Sequence, residues 1–91
     1  MGENILKIGD EVEIDNGKKC FVTDAFNLND IAYDIVVMLD EKGEPIENSF
    51  ALVEEQLKEG ELYLEVVQNK ERVKKIIEAY LKKTINQLKK N

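Results

Sequence analysis

The 91-residue chain reads as a mainly β fold with a C-terminal α element (α+β): a five-stranded antiparallel barrel followed by one long amphipathic helix. Three observations carry that reading. Between Asp10 and Val67, short alternating apolar runs are separated by turn-forming residues roughly every 8–12 positions. From Asn69 onward the apolar period lengthens to three and four residues, as on a helix. Charge divides at the same place. Residues 1–68 hold five lysines and 17 acids, net −12, and residues 69–91 hold seven lysines and one arginine against two acids, net +6, which together make the chain's −6.

The first strand contains Val12 and Ile14, alternating with Glu11 and Glu13. Asp15-Asn16-Gly17 follows, and Asn-Gly is a strong hairpin signal because both residues accept positive φ. Lys18 to Phe26 returns as the second strand, with Cys20 and Val22 on one face, and Asn27-Leu28-Asn29-Asp30 reads as a loop. Ile31 to Leu39 is the clearest strand. Ile31, Tyr33, Ile35, Val37 and Leu39 share one face, while Val36 and Met38 make the other partly apolar, so both faces need cover.

Asp40 to Pro45, with Gly43 and the only proline, forms a turn. The stretch from Ser49 to Glu59 is open to two readings. Phe50, Val53 and Leu57 fit helical spacing, with Asn48 or Ser49 as cap. Phe50 to Val53 also reads as a strand, the return leg of the Gly43 hairpin, ending in a helical turn over 54–58, and this reading is preferred. Gly60 breaks the chain, and Leu62, Leu64 and Val66 alternate with Glu61, Tyr63 and Glu65 in a fifth strand. Closing five such strands on themselves removes edges that would otherwise pair between molecules.

Gly9-Asp10-Glu11-Val12-Glu13-Ile14, followed by Gly17 and Val22, resembles the opening of SH3-like small barrels of the KOW and Tudor-like type. The resemblance covers residues 8–67 and implies fold. Members of the KOW type bind RNA or ribosomal surfaces through basic loops, whereas the corresponding region of this chain is acidic. The expected organisation is a single domain over 1–91, with the barrel at 8–67 and the helix at 69–90.

Asn69 suits a helix N-cap, and Glu71 the positive end of the helix dipole. Val73, Ile76, Ile77, Tyr80, Leu81, Thr84, Ile85 and Leu88 form the apolar stripe. At about 100° per residue, Ile76 and Ile85 lie roughly 180° apart, wider than a two-stranded coiled-coil seam. Such a stripe wants more than one neighbour. One edge is expected to cover Val36 and Met38 on the barrel, leaving Ile77, Leu81, Ile85 and Leu88, rimmed by Lys82 and Lys89, for a protein partner or a homodimer.

Catalytic constellations are scarce. The chain has no histidine, so no Ser-His or Cys-His pair and no imidazole ligand. Ser49, the only serine, reads as a turn or strand-start residue, and Cys20 as a small core hydrophobe. No glycine-rich phosphate loop is present. Asp24, Asp30 and Asp34, potential oxygen ligands for Ca²⁺ or Mg²⁺, read as solvated surface, as do Asp40, Glu41, Glu44 and Glu47. No enzyme activity, metal or cofactor is expected.

No apolar run approaches the roughly 20 residues that span a bilayer, the N-terminus lacks a signal-peptide core, and Leu6 breaks the myristoylation pattern. With a lone cysteine, these features predict a cytoplasmic protein. The leading expectation is a small acidic interaction module. Two alternatives remain: nucleic-acid binding through Lys74, Lys75, Lys82 and Lys83, or mimicry of nucleic acid by the acidic body to block a basic protein of a phage or mobile element.

Overall fold

The computed structural model describes the backbone of residues 4–14 and 17–88, and side chains as far as Ile85. Five strands, β1 (Glu11–Ile14), β2 (Lys18–Leu28), β3 (Ile31–Leu39), β4 (Pro45–Lys58) and β5 (Glu61–Val66), precede one helix, α1 (Lys70–Leu88). All pairings are antiparallel between chain neighbours, in the order β1-β2-β3-β4-β5. The sheet curls until β1 approaches β5, an SH3-like, nearly closed barrel with a helix attached.

Turn chemistry explains the short connections. Leu28 pairs with Ile31, leaving only Asn29 and Asp30 between strands, at φ of 51° and 64°. Two consecutive positive φ angles match the right-handed twist of a hairpin, and Asn and Asp tolerate them best among residues with side chains. Lys58 and Glu61 are joined in the same manner by Glu59 and Gly60, at φ of 53° and 83°. The strands therefore continue through most of the segment expected as a loop at 27–30. Ile14 pairs with Lys18 across the first hairpin, whose Asp15 and Asn16 lie outside the described residues.

β4 is a single strand from Pro45 to Lys58, so the helical turn expected over 54–58 is replaced by strand. Glu54 to Lys58 pair in register with Glu65 to Glu61, and this ladder outweighs a local helical spacing. Ser49 holds an irregularity in β4. Its hydroxyl donates to the Ile46 carbonyl at 2.6 Å and accepts from the Met38 amide at 3.1 Å, satisfying an N–H where the β3–β4 register shifts.

The sheet has two apolar faces. Ile14, Cys20, Val22, Val36 and Val53 fill the barrel, with Met38, Leu64 and Val66 packed around them. Phe26, Tyr33, Leu52 and Val67 lie on the outer face and are covered by Ile76 of α1. The helix therefore covers the odd-numbered face of β3, through Tyr33 and Ile35, and not Val36 and Met38 as the sequence reading had it. Val36 and Met38 are covered by the barrel's own interior. Burial raises the pKa of the Cys20 thiol, consistent with a packing role.

A second correction concerns Asp34, which is fully buried rather than solvated. It stands between Ala32 and Val36 on the inward face of β3, near one mouth of the barrel. Asn4 reaches in from the N-terminal segment and donates to the Tyr33 carbonyl at 3.0 Å and to Asp34 Oδ1 at 3.2 Å. The Glu55 carboxylate accepts the Ile5 amide at 2.7 Å and also receives that of Leu6. These contacts strap residues 4–6 over the barrel end. Asp34 Oδ2 receives no N–H or hydroxyl donor. Desolvation, then the hydrogen bond and charge of Glu55, raise the Asp34 pKa to about 8, with Asp10 adding to the effect and Asn4 opposing it. Asp34 therefore gives up its proton well above the usual carboxylate range.

The consequence for stability has a definite sign. The folded pKa of Asp34 lies above the unfolded value of 3.8, so its protonated form contributes fully below about pH 4, and the contribution falls as pH rises towards about 8. Asp34→Asn lacks this titration. Urea unfolding across that range is expected to show the variant gaining stability relative to the parent, by at most about 1.4 kcal/mol per pH unit. A difference independent of pH would contradict the raised Asp34 pKa.

Candidate functional site

α1 begins at a side-chain cap: Asn69 Oδ1 accepts the Arg72 amide at 3.0 Å. Its first turn is tethered by the Arg72–Glu54 ion pair at 2.8 Å. Two turns on, the Tyr80 ring stacks on Phe26 with centroids 4.1 Å apart, and Phe26 in turn stacks on Tyr33 at 5.6 Å. The Tyr80 hydroxyl donates to Asp24 at 2.6 Å, a bond that, with burial, raises the Tyr80 pKa. Lys83 Nζ donates to the Asn27 carbonyl at 3.2 Å. The helix therefore crosses the outer face from β4 to β2.

The strand registers define what lies beside it. Phe26–Tyr33–Glu54 form one outward row and Asp24–Ile35–Leu52 the next, and both lie under or against α1. The following row is Phe21–Val37–Phe50. Arg72 and Lys83 reach to the Glu54 and Asn27 side. In a right-handed helix running from β4 to β2, Ile77, Leu81 and Ile85 then turn to the opposite flank, at about 40°, 80° and 120° round from Val73. The Phe21–Val37–Phe50 row is the next along the same outward face of the sheet.

Exposure follows this geometry. Val73, Ile76, Ile77 and Tyr80 pack on the sheet, whereas Leu81 is 52% and Ile85 49% exposed. On the next row, Val37 is buried while Phe50 is 64% exposed. Of the residues expected at an interface, Leu81, Ile85 and Lys82 are exposed, and Ile77 is shared with the core. Leu88 closes the helix backbone, but its side chain lies outside the described residues, as does Lys89 altogether. Phe50 and its row were not anticipated. The available signal was its odd–even relation to Leu52, which places the two on the same outward face.

The alternative lysines do not form one surface. Lys74, Lys75 and Lys82 are exposed, with Glu71 and Glu78 interleaved, while Lys83 is turned down to Asn27. The three candidate aspartates do not converge either: Asp24 accepts from Tyr80, Asp30 lies in an exposed turn, and Asp34 is inside the barrel. Among the described residues, no group of three or more His, Cys, Asp or Glu is arranged to hold a metal, and no helix is long and apolar enough to cross a membrane. A polar cleft of about 580 Å³ lies between β5 and the start of α1, lined by Gln56, Glu65, Asn69 and Arg72 among others. Arg72 is already committed there to Glu54.

No family model, curated protein or solved structure matches the chain. The barrel architecture alone speaks to fold and not to task.

Truncations on the two flanks of α1 should separate core from surface. Ile76→Ala, at a buried position, is expected to cost about 2–4 kcal/mol in chemical unfolding. Leu81→Ala is expected to cost under about 1 kcal/mol. Equal losses at both positions would contradict this assignment of the flanks.

Proposed function

We propose that the protein is a non-enzymatic, cytoplasmic interaction module in which the barrel holds α1 by one flank and offers the other to a protein partner. The observation that carries this reading is the pair of large aliphatic side chains, Leu81 and Ile85, half exposed on a helix whose other flank is anchored. Isolated exposed leucines are ordinary on protein surfaces. Here two stand one helical turn apart, and Phe50, also exposed, lies on the same outward sheet face that α1 partly covers. Lys82, on the solvent side of the stripe, is placed to affect encounter rate and salt dependence more than affinity.

A photo-activated cross-linker at position 81 tests the reading in the protein's native cells, with position 75, an exposed residue off the apolar stripe, as control. Position 81 is expected to give a discrete protein adduct that Ile85→Asp abolishes, and position 75 is expected to give none. No adduct at 81, or equal labelling from 75, would overturn it.

A further inference from the structure

We propose that residues 4–6 form a proton-controlled latch over the barrel mouth: ionisation of Asp34 beside Glu55 drives the Glu55 carboxylate off the segment it holds and frees the amides of Ile5 and Leu6. The two carboxyls are placed unequally. Asp34 is wholly buried on the inward face of β3, flanked in register by Ala25 of β2 and Val53 of β4. Glu55 is the next inward residue of β4, in register with Ala32 and Leu64, and is only partly buried. When two like charges must separate, the carboxylate at the rim is the one with room to turn to water. It is also the anchor of the strap, accepting the Ile5 amide at 2.7 Å and the Leu6 amide at 3.4 Å.

The surroundings offer nothing to offset a second negative charge. Asp10, ahead of β1, adds to the negative field at Asp34. On the inward side β2 presents Ala25 and β5 presents Leu64 and Val66, all apolar, while the Asn27 side chain is bound to Asn4. From α1, Lys83 ends on the Asn27 carbonyl, and among the described residues no lysine or arginine pairs with Asp34 or Glu55. Like charges held together out of water resist joint ionisation, so the second charge comes at the expense of the contact between them. Asn4 alone favours the charged form, through its bond to Asp34 Oδ1. It resists opening at residue 4, and the release falls on Ile5 and Leu6. Leu6 packs against the cluster inside the barrel, so freeing it uncovers that end of the core.

Electron paramagnetic resonance of a nitroxide on Ile5→Cys reads the latch, since Ile5 is 47% exposed and Cys20 is fully buried. The full chain is followed from about pH 6 to about pH 10, above the range of ordinary carboxylates. The immobile spectral component is expected to give way to a mobile one with a midpoint of about 8, while circular dichroism shows the barrel still folded. The Asp34 carboxyl carbon, followed by NMR in the parent, is expected to titrate with the same midpoint. Asp34→Asn and Glu55→Gln each remove one of the two charges and are expected to keep the label immobile throughout. Both variants retain the N-terminal amine, which titrates in the same interval. A label that is mobile at every pH, or immobile while the Asp34 carbon shows ionisation, overturns the latch. So does a transition that survives in either folded variant, a mobility midpoint apart from that of Asp34, or motion that begins only when the barrel unfolds.

Discussion

Phe26, Tyr33 and Tyr80 form a short aromatic column that joins strand to strand and strand to helix. The Tyr80 hydroxyl, bound to Asp24, fixes how the ring enters that column and therefore how α1 is rotated about its own axis. Rotation is the decisive variable, because the helix carries apolar residues round about half its circumference. With Tyr80 down, Ile76 is buried and Ile85 is not. A helix turned by one residue would bury a different set and expose a different flank. The outer core and the exposed flank are thus two results of one packing arrangement.

Much of the barrel was legible because its signals are local. Strands β1 and β5 alternate cleanly, and most turns carry Asn, Asp or Gly where the backbone demands positive φ. β4 was harder for a physical reason. In its middle, inward Ala51 and Val53 flank outward Leu52, and the outward face is covered by α1, so the contrast between faces fades and a helical spacing emerges by coincidence. The covering of β3 was misjudged for a related reason. Both its faces are apolar, and nothing local tells which one meets the barrel interior and which meets the helix. The deciding contacts, Tyr80 with Phe26 and Arg72 with Glu54, span 54 and 18 residues of sequence, too far for periodicity to register. On the helix itself, the width of the stripe was readable and the flank left in solvent was not.

Asp34 illustrates the limit of reading charge as surface. Its even position in β3 commits it to the barrel interior, where a lone carboxylate is costly. The fold answers with a carboxyl whose pKa is raised and with Asn4 brought in from the N-terminal segment to donate to it. The same Glu55 receives the Ile5 amide, so the strap over the barrel mouth and the protonation of Asp34 belong to one network. The same Asn4 also accepts from the Asn27 side chain, and the Asn27 carbonyl accepts from Lys83 of α1, so the strap and the helix meet at one residue of β2.

The account stands on α1 being held by one flank only. Thiol labelling at high dilution measures this directly, since Cys20 is fully buried and silent in the folded protein. Single cysteines at positions 73, 76, 81 and 85 should divide into two groups, with 76 protected to the level of global unfolding, 73 substantially protected, and 81 and 85 reacting nearly as fast as an unhindered thiol. Protection at all four positions would mean that the helix is enclosed by its own fold. Rapid reaction at all four would mean that it is not docked at all, and either result would contradict the structure's central arrangement.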